Sequence, residues 1–397
     1  MASFSIKNFN RCDFFLLIWV LYYLQGIAYP EGGAISLLLL LVNLLVSASC
    51  TFKVLRWRSK PIYFKGFNML MLMFTVYGFI LVFTSPSSLY YPISGYRMAS
   101  YNYIKAIYLS LLPIYPFYYY TKKGYLTAEH LRIWGVIFLA SVSLSYFREQ
   151  SKDLVALLEK GSNADEVTNN MGYLFLSCLP LLVLYRKRPL VQFAILAFVM
   201  AFIVKGMKRG AIAVGLVCAV YFMLQAIRSS KGKTRYLFII LSVFFCVGAV
   251  FFFIHQITTS DYMMSRMADT VEGNSSGRDN LYSFFWKYFT EKADFTHYLL
   301  GQGANGTLEI YYNYAHNDWL EIAVNQGLLG VVVYAFYWLC FYRTWKHATN
   351  IEAKIILALT ALILFAKTMF SMSYGDMTYV STSVLGYALA TLKRPNS

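Results

Sequence analysis

The stretch YLFIILSVFFCVGAVFFFI, residues 236–254, runs for nineteen residues without a charge. Coiled as a helix at about 1.5 Å per residue, such a segment nearly crosses the ~30 Å hydrocarbon layer of a bilayer. No water is available there to satisfy backbone N–H and C=O groups, so a helix, which pairs them internally, is the expected form. Blocks of the same kind recur along the chain on both sides of this one. The run Leu37 to Val42 is continuously apolar, whereas a transmembrane β-strand would alternate. Of the 397 residues 58% are hydrophobic and 14% charged, with a mean hydropathy of +0.50. Soluble domains run nearer 45–50% apolar and about 25% charged, so the class expected is an all-α polytopic membrane protein.

Twelve spans are expected, over 13–30, 34–52, 66–84, 104–120, 132–147, 171–185, 190–204, 210–227, 236–257, 328–345, 353–370 and 378–392. This divides the chain into 1–257 with nine spans, a long loop 258–327, and 328–397 with the last three. The first block is long and no A-x-A-like site follows it, so it reads as a membrane helix rather than a cleavable signal. Cys12, Cys50, Cys178, Cys218, Cys246 and Cys340 lie in or beside apolar blocks, and none forms a CxxC pair. They read as small apolar fillers. No internal repeat or low-complexity tract is visible.

The formal charge of +16 would suit nucleic acid, but its distribution follows the connectors instead. With the N-terminus in the cytoplasm, cations collect on the cytoplasmic side at Lys53 to Lys65, Arg186 to Arg188 and Arg228 to Arg235, as the positive-inside rule requires. Both termini then lie inside and the loop 258–327 outside. One turn breaks the pattern: Lys205-Gly-Met-Lys208-Arg209-Gly210 places three cations on the outer face. Either a span is miscounted or the turn is an anion site, since ionisable residues at membrane depth are expensive and usually functional.

Two outer loops exceed turn length. Loop 148–170 has mixed charge and room for a short surface helix. Loop 258–327 carries an aromatic helical stretch, Asn280 to Tyr288, and then Tyr311-Tyr-Asn-Tyr-Ala-His-Asn-Asp-Trp-Leu-Glu321. Asn274-Ser-Ser and Asn305-Gly-Thr fit the glycosylation sequon. His316 is the candidate general base, because an imidazole titrates near neutral pH; the alternative is a surface or helix-capping histidine. Asn317 or Asp318 can cap a short amphipathic helix that Gly327 can end. The aromatics Tyr311, Tyr312, Tyr314 and Trp319 offer flat faces for a sugar ring, or equally for the membrane interface. Asn317 and Glu321 are further candidates for glycan contact. Arg209, with Lys205 and Lys208, presents donors that match phosphate oxygens, and Arg278 is a second outer arginine. The other histidines, His130, His255, His297 and His347, have blander surroundings. No HExxH, P-loop or GxSxG motif is present, so neither metal nor nucleotide cofactor is expected.

These residues resemble a known family. His316-Asn-Asp-Trp-Leu-Glu-Ile-Ala-Val-Asn-Gln-Gly-Leu-Leu-Gly330 resembles the H-N-x-x-L-E…G-L-x-G signature of the O-antigen ligase and O-antigen polymerase superfamily. Lys208-Arg-Gly-Ala resembles the family's S-R-G-A turn, with Lys208 in place of serine. Ser276-Gly-Arg278 resembles the arginine opening the family's large periplasmic loop, and Asn170 resembles an asparagine that opens a span. The resemblance covers roughly 165–345 and the twelve-span plan. It implies a GT-C-like, metal-independent glycosyltransferase of the bacterial inner membrane. Such an enzyme moves a glycan from an undecaprenyl-diphosphate-linked donor, on the periplasmic side, to lipid A–core or to another glycan acceptor. By the same resemblance His316 activates the acceptor while Arg209 and Arg278 hold the diphosphate; Lys208 and Lys205, beside Arg209, are further candidates for that diphosphate from the charge of the turn alone. The expectation is an O-antigen ligase, with the polymerase as the alternative and a flippase or secondary transporter as the reading from another class. Membrane lipids are the other expected partners; nucleic acid is not. His316 and Arg278 of the loop are expected to meet Arg209 at the outer membrane surface.

Overall fold

The computed structural model describes residues 9–85, 88–93, 95, 97–159, 171–206, 208–259, 264, 268, 278–311, 313–371, 373 and 378–392. Helices dominate: α1 Arg11–Tyr23, α2 Ala34–Leu55, α3 Tyr63–Thr84, α4 Tyr101–Leu111, α5 Ile114–Lys122, α6 Ala128–Glu159, α7 Met171–Leu176, α8 Pro189–Lys205, α9 Arg209–Ser229 and α10 Gly232–Thr259. They continue with α11 Arg278–Lys287, α12 Phe295–Leu300, α13 Gly306–Ile310, α14 Asp318–Lys346, α15 Ile351–Phe370 and α16 Tyr379–Thr391. Helix thus occupies at least part of every expected span. Among the described residues six are long and apolar enough to cross a bilayer: α2, α3, α6 through Lys152, α9, α10 through His255, and α14.

The remaining blocks are interrupted for local reasons. α1 stops at Tyr23, and the chain folds back so that the Tyr29 hydroxyl donates to the Leu21 carbonyl at 2.8 Å. The block at 104–120 is two helices, α4 and α5, because Pro113 lacks the N–H that would continue the ladder. Pro180 acts likewise after α7, where Leu179–Tyr185 tightens into a 3-10 helix. α6 runs on to Glu159, so loop 148–170 begins as a continuation of the preceding helix rather than as a separate one. A two-stranded antiparallel hairpin, β1 Ser88–Tyr90 and β2 Arg97–Ala99, was not expected from the apolar pattern.

The chain divides into two compact units, Met1–Leu45 with Tyr120–Asn274, and Val46–Tyr119 with Ser275–Ser397. In the first, α1 is capped by Asn10 and Asp13, and the buried Asp13 also accepts from the Trp134 indole at 2.9 Å, tying α1 to α6. Phe175 stacks on Phe202 with centroids 4.4 Å apart, joining α7 to α8. Glu31 pairs with Arg148 and Lys152 at the far end of α6. In its most apolar window α10 is only 6% buried, so it presents nearly its whole circumference to the surroundings.

In the second unit α3 and α14 make the main helix pair. The Tyr63 N–H donates to Thr344 Oγ1 at 2.9 Å, and the Tyr63 ring meets Tyr337 and Phe341 edge-on. α14 is broken at Gly327, whose φ of 68° and ψ of −166° are not helical. The expected span corresponds to its second piece, 328–346, and the expected loop to its first, 318–326. This break is interlocked with another glycine. A Cβ on Gly327 would come within 2.4 Å of the Leu299 carbonyl, and one on Gly301 within 2.4 Å of the backbone of Asn325 and Gln326. The two glycines let two backbones touch where no side chain fits.

Candidate functional site

The loop reaches its place by burying aromatics. α11 contributes Leu281 and Phe285 to a cluster with Ala315 and Val324, against which Tyr282, Phe284, Ile310, Tyr311 and Leu320 pack. Backbone bonds add register: the Gln302 N–H donates to the Val324 carbonyl at 2.8 Å and the Gly303 N–H to the Asn325 carbonyl at 2.9 Å. Asn305, the asparagine of the second sequon, donates to the Tyr91 hydroxyl at 3.4 Å, and Tyr314 approaches Met98 of β2 at 4.0 Å. The hairpin and the loop therefore support one another.

At the centre of this arrangement stands His316. Its φ of 51° is left-handed, a conformation that a residue with a Cβ adopts at a cost of roughly 1–2 kcal/mol. Three neighbours hold it there. Just before it, the Ala315 N–H donates to Glu321 Oε2 at 2.7 Å. Its own carbonyl accepts from the Tyr282 hydroxyl at 3.3 Å, which also reaches the Met369 carbonyl at 3.0 Å. Just after it, Asn317 caps α14, accepting from the N–H groups of Trp319 and Leu320, while its amide reaches the Met369 carbonyl. Of the two capping candidates, Asn317 is the one used.

Glu321 is fully buried and already engaged. Besides Ala315 it accepts from the Thr307 hydroxyl and from Asn325 Nδ2 at 2.9 Å, and Asn325 Oδ1 accepts from the Thr307 N–H at 2.9 Å. Burial pushes its carboxyl up to about 7, against the pull of those three donors. Asp318 is equally buried. It accepts from Tyr334 at 2.6 Å and from the Ser373 N–H and hydroxyl at 2.9 and 2.7 Å. Burial pushes Asp318 up as well, and the charge of buried Lys367 is among the influences pulling it back. Trp319 is half-buried, donating to Thr368 at 3.2 Å and meeting Tyr334 edge-on. Tyr312, Asn170, Ser276 and Gly277 lie outside the described residues.

Arg278 opens α11, close enough to Tyr282 for its charge to oppose the upward push of burial on that phenol. Arg278, Tyr282 and His316 thus share one corner of the second unit. Tyr282, Thr307, Asn325 and Ser373 did not stand out in the sequence. Only Asn325 carried a signal, lying four residues after Glu321 on one helix face.

The cationic turn belongs to the first unit. Lys205 ends α8 and is exposed; Lys208 precedes α9 in an extended conformation, and Arg209 is the first helical residue. A cation suits a helix C-terminus, so Lys205 is well placed. Lys208 and Arg209 sit at the positive end of a 21-residue helix, where each cation is disfavoured by roughly 0.3–1 kcal/mol. An anion bound at the turn would reverse that penalty. His297 pairs with Asp294 at 2.7 Å in the exposed cap of α12. Among the described residues no group of three or more His, Cys, Asp or Glu is placed to hold a metal ion.

A helical membrane protein with a histidine fixed beside a buried carboxylate network is the class these features define. Residues 193–335, which run from α8 through the histidine loop into α14, match the O-antigen ligase family model. Over that segment the chain is similar to the O-antigen ligase family, in agreement with the resemblance of its histidine motif. No curated protein sequence matches the chain.

Proposed function

We propose that the chain is an O-antigen ligase of the bacterial inner membrane, GT-C-like with about twelve spans. Both termini are cytoplasmic and the reaction runs on the periplasmic face. Its donor is a glycan linked to undecaprenyl diphosphate and its acceptor a hydroxyl of lipid A–core. The observation that carries this reading is the held geometry of His316 within the family-matched segment. A base must be positioned before its pKa matters, and a left-handed residue persists only where its surroundings over-determine it.

In the proposed step His316 takes the proton of the acceptor hydroxyl as that oxygen attacks the anomeric carbon. The bond from that carbon to the diphosphate oxygen breaks, and the electron pair leaves with undecaprenyl diphosphate. Arg278 and Arg209, with Lys208 and Lys205, stabilise the leaving charge. Glu321 and Asn317 act through the backbone of His316 rather than on the sugar. Tyr314 and Trp319, both half-buried, remain the candidates for glycan contact.

The test is complementation of a deletion strain. Wild-type chain restores long glycan on core; His316→Ala leaves bare core with lipid-linked polymer accumulating, and lowers transfer in membrane extracts about 10²–10⁴-fold. A deletion strain that instead carries a single repeat on core assigns the chain to polymerase. Full activity of His316→Ala at normal expression removes His316 as the base.

A further inference from the structure

Each of the three residues after His316 reaches the C-terminal end of α15 or the turn just beyond it. Asn317 Nδ2 donates to the Met369 carbonyl at 3.4 Å, Asp318 accepts from the Ser373 N–H at 2.9 Å and hydroxyl at 2.7 Å, and Trp319 Nε1 donates to Thr368 Oγ1 at 3.2 Å. The last four carbonyls of a helix have no partner within it. Met369 carries one of these in α15, and it receives the Asn317 amide and the Tyr282 hydroxyl together. The histidine loop thus caps α15, and the end of α15 holds the loop. Lys367 stands within this end and is 1% exposed. A lysine near the end of a membrane helix ordinarily carries its ammonium out to the interface on its long stem. This one stays inside, where its charge reaches the equally buried Asp318. Charges kept out of water add little net stability, and they suit the fixing of one arrangement better than the strengthening of a fold. No step of the transfer uses Lys367, and it lies beyond the family-matched segment 193–335.

We propose that Lys367, Thr368 and Met369, with Ser373, form a positioning element for His316, in which Lys367 is the counter-charge of the Asp318 carboxylate. This rests on the transferase reading above. With its counter-charge in place Asp318 accepts from Ser373 and Tyr334 at once, and the first turn of α14 is drawn against α15. Asn317 and Trp319, on either side of Asp318, close on Met369 and Thr368. His316 directly precedes that turn, so a loosened α15 displaces the imidazole.

The test uses full-length protein in phospholipid nanodiscs. Lys367→Met keeps most of the stem and removes the charge. It is expected to lower kcat about tenfold to a hundredfold with KM changed less than about twofold, because substrates still bind while the base is misplaced. Lys367→Arg, which keeps the charge, is expected to recover most of that loss. Thr368→Val removes the hydroxyl that accepts from Trp319 and is expected to lower kcat about threefold at unchanged KM, in a variant that folds. Lys354→Gln, at the other end of α15 and over the Trp345 ring, is the control and changes neither constant. Nitrogen-15 imidazole spectra of the five histidines, with His316 assigned by His316→Gln, give a readout without turnover. The His316 signals are expected to shift or broaden in Lys367→Met and Thr368→Val while the other four stay. Wild-type kcat in Lys367→Met, or a loss of melting temperature with kcat and the His316 signals unmoved, overturns the proposal. Signals that move in a chain without any transfer activity keep the positioning and remove the function; active transfer indifferent to these variants does the reverse.

Discussion

Around His316 the loop's buried carboxylates are saturated: Glu321 accepts from three donors and Asp318 from three more. Along α8–α10 the chain leaves a void lined by small residues and gathers cations against a helix dipole. The first region spends buried polar groups on holding a strained backbone still. The second has no buried carboxylates of that kind: its lining is apolar throughout, and its cations stand at the turn between α8 and α9.

The sharpest way to break that contrast is to add a methyl group to each region. Gly327→Ala forces a Cβ into the Leu299 backbone at a φ of 68°, and is expected to cost about 3 kcal/mol or more and to prevent accumulation of folded protein. Gly248→Ala in the void is expected to be neutral or stabilising by up to about 1 kcal/mol. Thermal unfolding of the detergent-solubilised proteins measures both, and equal effects would end the comparison.

Next in size is Glu321→Ala, which orphans the Thr307 hydroxyl, the Ala315 N–H and the Asn325 amide. It should lower stability by about 2–4 kcal/mol. Glu321→Gln should lose less and should change the pH response. Burial raises the folded pKa to about 7 from an ordinary 4.5. The group's contribution is therefore fully present below about 4.5 and is lost as pH rises through about 7, by up to about 3 kcal/mol. Melting temperature should fall between roughly pH 5 and pH 8, and more shallowly in Glu321→Gln. An unaltered slope would mean that another group titrates.

Tyr282→Phe removes the bonds to the His316 and Met369 carbonyls, for about 1 kcal/mol. Its expected signature is a fall in kcat larger than any change in KM, since the imidazole is less well held. The smallest effect belongs to Glu31. Its carboxyl is held below the ordinary value by hydrogen bonding to Lys152, but the pair is exposed. Glu31→Gln should shift stability by less than about 1 kcal/mol, and the shift should shrink in salt.

The helical membrane class was legible because period and length are local properties: every apolar block contains helix. What went unread depended on single atoms or on distant partners. The breaks at Pro113 and Pro180 follow from one missing N–H each, and hydropathy averages over them. The hairpin at 88–99 sits between apolar blocks and is too short to show a period. In the loop, His316 and Arg278 were visible as motif residues, but the partners that hold His316 were not. Thr307 lies fourteen residues before Glu321 in sequence and Ser373 fifty-five after Asp318, so no spacing rule links them. Glu321 itself stands out in the sequence, but as a candidate for glycan contact, because its burial is a property of the folded loop alone.

The interlocked glycines, Gly301 and Gly327, fasten the loop to the membrane helix by main chain against main chain. A fastening of that kind is indifferent to the side chains around it. Side chains elsewhere on the loop can change while that fastening stays, provided that Glu321, Tyr282 and Asn317 still hold His316 itself. The two glycines themselves are barred from such change.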